Sequence, residues 1–159
     1  MARPYPFYPA FNGSKSSPVV KWFVAACGRR WAFTNLGIYV NRAVRNPYAK
    51  GALSVHATGW ACDLGYPSTK AGRKTALEAW EWLIANTEAL RIAEIHDYRF
   101  GEFGRGYRCS RGEGNRGVVV YQNAKQSAGR GGNWLHVEIE NTWASAEEFA
   151  EAWKAIPRP

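Results

Sequence analysis

Thiol chemistry is almost missing from this 159-residue chain: Cys27, Cys62 and Cys109 are odd in number, and none belongs to a Cys-x-x-Cys pair. That excludes a disulfide framework and a thiolate zinc knuckle, and it predicts three free thiols. Imidazoles are equally scarce. Only His56, His96 and His136 are present, so any chemistry that needs histidine falls on them. No stretch approaches the ~20 consecutive apolar residues of a membrane span, and the first residues lack the apolar core of a signal peptide. The expectation is cytoplasmic synthesis without a signal peptide. Acidic side chains are also short: 13 Asp and Glu face 21 Lys and Arg, a formal charge of +8 with a pI near 9.6. Such a surplus favours polyanionic partners, nucleic acid or an anionic wall polymer, by long-range attraction.

What the chain does contain is apolar and aromatic. Hydrophobic residues make up 46% and charged ones 21%, which excludes a disordered chain and gives one domain with its own core. Residues 1–18 hold four of the eight prolines and read as an irregular N-terminal arm whose Tyr5, Phe7, Tyr8 and Phe11 are free to pack on the body. Residues 19–159 form the domain. Val19 to Ala26 is predicted as a short helix stopped by Gly28, Leu36 to Val40 as a strand, and 41–50 as a polar loop carrying Arg42 and Arg45. Ser68 or Thr69 caps a helix reaching about Asn86, with Ala76, Leu77, Trp80, Leu83 and Ile84 as its apolar stripe. Trp80 and Trp82 cannot both face inward on that helix, so one is expected at the surface. A strand follows over 91–98. From Arg99 to Gly132 six Arg, one Lys and nine Gly stand against two Glu. We read this stretch as a pair of mobile loops over a cleft with one short strand at 118–121; interleaved Arg, Gly and aromatics also suit single-stranded nucleic acid. Ser145-x-x-Glu148 is a capping box opening a last helix with Phe149, Ala152, Trp153 and Ile156 on its buried side.

Two segments carry chemistry. In residues 54–63, Ser-Val-His-Ala-Thr-Gly-Trp-Ala-Cys-Asp, a bent strand would put Ser54 and His56 on one face, and a turn near Gly59 would return Asp63 to it. In residues 133–140, Leu135, Val137 and Ile139 alternate with Trp134, His136, Glu138 and Glu140, the pattern of a half-buried strand with His136 on its polar face. An imidazole and a carboxylate would then converge with a second imidazole.

Ser54-x-His56-x-x-Gly59-x-Ala61-x-Asp63 followed by Trp134-x-His136-x-Glu138 resembles the zinc D-Ala-D-Ala carboxypeptidase family, which shares its fold with the Hedgehog signalling domain and several phage endolysins. Leu36-Gly37-Ile38-Tyr39, with Arg42 and Arg45 beyond it, is similar to the arginine-bearing strand and loop ahead of this motif in relatives. The resemblance covers roughly residues 35–140. It implies an α+β fold in which a small antiparallel sheet carries a metal site and is covered by helices. It also implies Zn2+ on His56, Asp63 and His136, with Arg42 or Arg45 holding an oxyanion or a substrate carboxylate. Three protein ligands leave zinc an open position, the arrangement of a catalytic site.

Peptide hydrolysis also needs a proton-transfer group. Relatives carry it at the positions of Asn133 or Trp134, and neither residue can serve. Glu138, on the strand face of His136, and His96, beside Asp97, are the substitutes. Two readings stay open: a zinc peptidase cutting peptidoglycan stem peptides at the bacterial wall, as an endolysin does, or a catalytically degenerate module of the same fold that binds wall polymer or nucleic acid.

Overall fold

Leu135, Val137 and Ile139 need an apolar partner on one side of their strand while His136 and Glu138 need polar partners on the other. That division organises the molecule. The computed structural model describes residues 1–8, 15–44, 52–127 and 131–157. The strand is β6 (Trp134–Ile139), and it lies inside a six-stranded antiparallel sheet. The others are β1 (Thr34–Gly37), β2 (Ala61–Gly65), β3 (Ile92–Asp97), β4 (Arg105–Arg108) and β5 (Val118–Val120). Their spatial order is β1-β2-β6-β3-β4-β5.

Three helices, α1 (Pro18–Trp31), α2 (Lys70–Ala85) and α3 (Ala146–Ala155), complete an α+β architecture. Each begins where the sequence supplies a cap: Ser17, Thr69 and Ser145 accept from Val19, Gly72 and Glu148 backbone N–H groups, and Pro18 sits in the first turn, where a missing N–H costs nothing. Their apolar residues join the sheet residues Cys62, Leu64, Ile95, Leu135 and Val137 in one hydrophobic cluster. Phe149 of α3 meets Phe23 of α1 edge-on at 6.1 Å. None of the helices is long and apolar enough to cross a membrane, among the described residues.

Several expectations are corrected. Helix α1 passes through Gly28 and stops at Ala32, a left-handed residue whose N–H returns to the Gly28 carbonyl. A glycine inside a helix costs about 1 kcal/mol, and burial of Cys27 together with the Trp31–Trp82 contact at 5.6 Å offsets it. Trp80 and Trp82 are both buried, because α3 and the C-terminal turn cover Trp82, whose indole N–H donates to the Pro157 carbonyl at 3.2 Å. Among its described residues, the stretch 99–132 is more than a pair of loops. Within it β4 and β5 extend the sheet, pairing Arg105, Gly106 and Tyr107 with Val120, Val119 and Val118. Strand β4 escaped the pattern because its alternation is charged: Arg105 packs over Trp80 at 4.1 Å, and Arg108 pairs with Glu94.

On the helix side, Asp97 is wholly buried and receives both terminal nitrogens of Arg73 at 2.7 and 2.8 Å and the Nε–H of Arg105 at 3.1 Å. This ties α2 to the far strands. Removing one partner of such a buried group typically costs about 3–5 kcal/mol, since the other charges are left unpaired. Asp97→Asn is expected to lose stability on that scale in urea unfolding, whereas Glu78→Gln, which breaks only the exposed Lys74–Glu78 pair, should lie within about 0.5 kcal/mol of wild type.

Candidate metal centre

Register places the polar residues. Across β2 and β6 Asp63 stands opposite His136, and across β3 and β6 His96 stands opposite the same His136. Glu94 and Glu138 form the next opposed pair, and Arg108 and Gly106 continue the two rows on β4. One face of four strands is therefore polar and yet mostly buried, with His56, Glu94, His96, His136 and Glu138 all below 10% exposure.

His56 reaches this face by a route the sequence did not suggest. It lies on a single 3-10 turn, Val55–Thr58, rather than on a bent strand. Gly59, with φ of +77°, ends the turn and sends the chain into β2, a conformation that glycine adopts without steric cost. The ring is fixed from outside the sheet: His56 Nδ1 donates to the Ile38 carbonyl at 2.7 Å. Its Nε2 is then the nitrogen with a free lone pair. It sits 3.2 Å from His136 Nδ1 and 3.4 Å from Asp63 Oδ1, while Asp63 Oδ1 and His136 Nδ1 are 3.0 Å apart. These residues form a group that could hold a metal ion.

The remaining nitrogen of His136, Nε2, is 3.1 Å from Glu138 Oε1, and the other oxygen of Glu138 accepts from the Tyr5 hydroxyl. A carboxylate behind a ligand imidazole fixes the tautomer and raises the basicity of the ligating nitrogen. Electrostatics point the same way. Burial opposes ionisation of Asp63, but hydrogen bonds and charge from His136 and His56 outweigh it and hold the carboxyl well below its usual range. Burial likewise disfavours a charged His136, yet Asp63 and Glu138 raise its pKa to about 10. The two carboxylates thus favour a positive charge between them, which a protonated His136 or a cation on the three converging atoms would supply.

His96 does not join this group. Its Nδ1 is 2.7 Å from the Tyr121 hydroxyl and its Nε2 is 3.4 Å from Glu94 Oε1. Glu94 in turn takes Arg108 through both oxygens at 2.9 and 3.0 Å; burial raises its pKa, but His96 and Arg108 outweigh this and hold it well below the usual range. The contact between His96 and Tyr121 requires glycine at 106: a Cβ there would lie 1.8 Å from the Tyr121 oxygen and 2.9 Å from His96 Nδ1. Arg42 is half-buried, donates to the Ala43 carbonyl at 3.3 Å and lines the cleft over the site. Arg45 lies outside the described residues. Asn133 accepts from Arg99 at 3.2 Å.

The cleft has a volume of about 630 Å³ and runs from Tyr5 and Tyr8 past the site to Arg42 and Arg111. A second, of about 450 Å³, lies on the β1 side between Leu36, Tyr39 and Val40 and shares Arg42, His56, Asp63 and Trp134 with the first. Among the described residues the site is thus approached from two flanks. Sequence reasoning missed Tyr5, Glu94, Arg108 and Tyr121. Glu94 had a signal, since alternation over 91–98 puts it on the His96 face; Tyr5 had none. Scans against protein-family models, curated proteins and solved structures find no significant match.

His56→Ala, Asp63→Ala and His136→Ala are each expected to lose stoichiometric metal after dialysis, and His96→Ala to keep it. Elemental analysis of the four purified variants measures this directly.

Proposed function

We propose that the chain is a zinc-dependent peptidase of the D-Ala-D-Ala carboxypeptidase type, built on the Hedgehog/DD-peptidase fold and acting on peptidoglycan stem peptides at the bacterial wall, as an endolysin does. The spacing of the three converging atoms supports zinc. Tetrahedral zinc with ligand bonds of ~2.0–2.1 Å keeps its ligand atoms ~3.3 Å apart, and the three separations here are 3.0, 3.2 and 3.4 Å. Two imidazoles and one carboxylate are a donor set zinc accepts. Zinc bound there would supply a Lewis acid and an acidified water.

The chain's own residues divide the remaining work. Glu138 bonds directly to the His136 ring through Oε1, so we assign it to holding that imidazole rather than to moving protons. His96 takes the proton-transfer role. Tyr121 holds its ring through Nδ1, and Glu94 lies 3.4 Å from Nε2. Arg42, half-buried in the cleft wall, would hold a substrate carboxylate as a charged, planar donor.

A second reading is favoured by Asn133, which is turned to Arg99 and leaves no carboxylate where relatives carry their base. On that reading the protein binds wall polymer or nucleic acid through its basic surface and hydrolyses nothing. The two separate in one experiment. Zinc-loaded protein incubated with purified peptidoglycan should release stem-peptide fragments detectable by mass spectrometry, and His96→Ala should slow release by about 10² to 10⁴-fold, the usual contribution of a general acid or base, with zinc retained. No fragment from any peptidoglycan type would favour the binding module. Single-stranded nucleic acid bound tighter than ~1 µM at physiological salt would then identify the polymer, since sequence-independent binding is ordinarily ~10⁻⁴ to 10⁻⁶ M.

A further inference from the structure

The first eight residues, an irregular lead-in by sequence, are tied to the body by directed contacts. The Arg3 guanidinium bonds to Glu113 and Glu140 and donates to the carbonyls of Thr87 and Ile92 at 3.1 and 2.8 Å. The Arg3 backbone N–H donates to the Cys109 carbonyl at 3.1 Å. Further along, the Tyr8 hydroxyl donates to the Ile139 carbonyl at 2.9 Å, and Asn141 donates to the Phe7 carbonyl at 2.9 Å. Between these anchors the Tyr5 ring lies beneath the Arg108 guanidinium, 4.5 Å from its centroid, and edge-on to Tyr8 at 5.9 Å. Its hydroxyl donates to Glu138.

We propose that residues 1–8 are a strap that sets the geometry of the metal centre, and that Tyr5 is a positioning residue for His136, acting through Glu138. The inference rests on the metal-site reading and extends it to a segment outside the motifs. Glu138 is nearly buried, so each of its oxygens must find a donor, and a buried acceptor left without one is costly. Tyr5 satisfies Oε2, which leaves Oε1 directed at His136 Nε2. With a cation bound, that nitrogen would carry the proton and the Nδ1 lone pair would face the ion beside Asp63 and His56. Without the hydroxyl, Glu138 would turn toward another donor or toward water, and His136 would lose the partner that selects its tautomer. Coupling of this kind is reciprocal: whatever the strap adds to metal affinity, bound metal adds to docking of the strap.

The test uses full-length protein and Zn2+ affinity by competition with a chromophoric chelator, with the Co2+ electronic spectrum as a second readout. Tyr5→Phe removes one oxygen and is expected to weaken Zn2+ binding about 10 to 100-fold, the usual effect of losing an outer-shell partner, and to shift the Co2+ bands. Tyr8→Phe makes the same chemical change in the same strap without touching Glu138, and should stay within about twofold of wild type. The double variant Tyr5→Phe/Glu138→Gln should bind no more weakly than Glu138→Gln alone, because the path runs through Glu138. Equal losses in Tyr5→Phe and Tyr8→Phe, an affinity of Tyr5→Phe within twofold of wild type, or full additivity with Glu138→Gln would each overturn the proposal. Wild type that takes up neither ion rejects the metal centre itself, and the strap's role with it.

Discussion

Everything at the site depends on one register. Antiparallel pairing of β2, β6 and β3 sets Asp63, His136 and His96 in a row. Because side chains alternate with a period of two, a slip of one residue would send Leu135 and Val137 into the polar face and His136 into the core. The helices α1, α2 and α3 enforce the register from the other side, since only this pairing lets Cys62, Leu64, Ile95, Leu135 and Val137 share one cluster. Hydrophobic packing thus does what no polar contact achieves alone: it makes a row of like groups stay together.

The cost of that arrangement is a polar sheet face removed from water. Buried imidazoles and carboxylates are tolerated only where each finds a partner. Here the partners are mutual, His136 with Asp63 and Glu138, His96 with Tyr121 and Glu94, Glu94 with Arg108. Local backbone devices complete the set: Gly59 ends the turn that delivers His56, and Gly106 clears the space in which Tyr121 meets His96.

The convergence of His56, Asp63 and His136 was legible in the sequence because their spacing is local, with His56 and Asp63 in one ten-residue stretch and His136 in a strand whose alternation is unambiguous. The helix caps at Thr69 and Ser145 were legible for the same reason. What escaped was long-range or masked by composition. Strand β4 reads Arg-Gly-Tyr-Arg, with no apolar alternation to mark it, because Arg105 is buried against Trp80 and Asp97 while Arg108 pairs with the buried Glu94. The 3-10 turn at His56 is too short for periodicity to declare. Tyr5 acts at Glu138 from 133 residues away in the chain, and proline-rich surroundings suggest only irregularity.

The two clefts that meet at His56 and Asp63 give the site an approach from either flank among the described residues. A closed pocket admits a polymer only by its free end. A trough open along its length admits one sideways, at any point of the chain, so occupancy scales with the number of internal segments presented rather than with the number of termini.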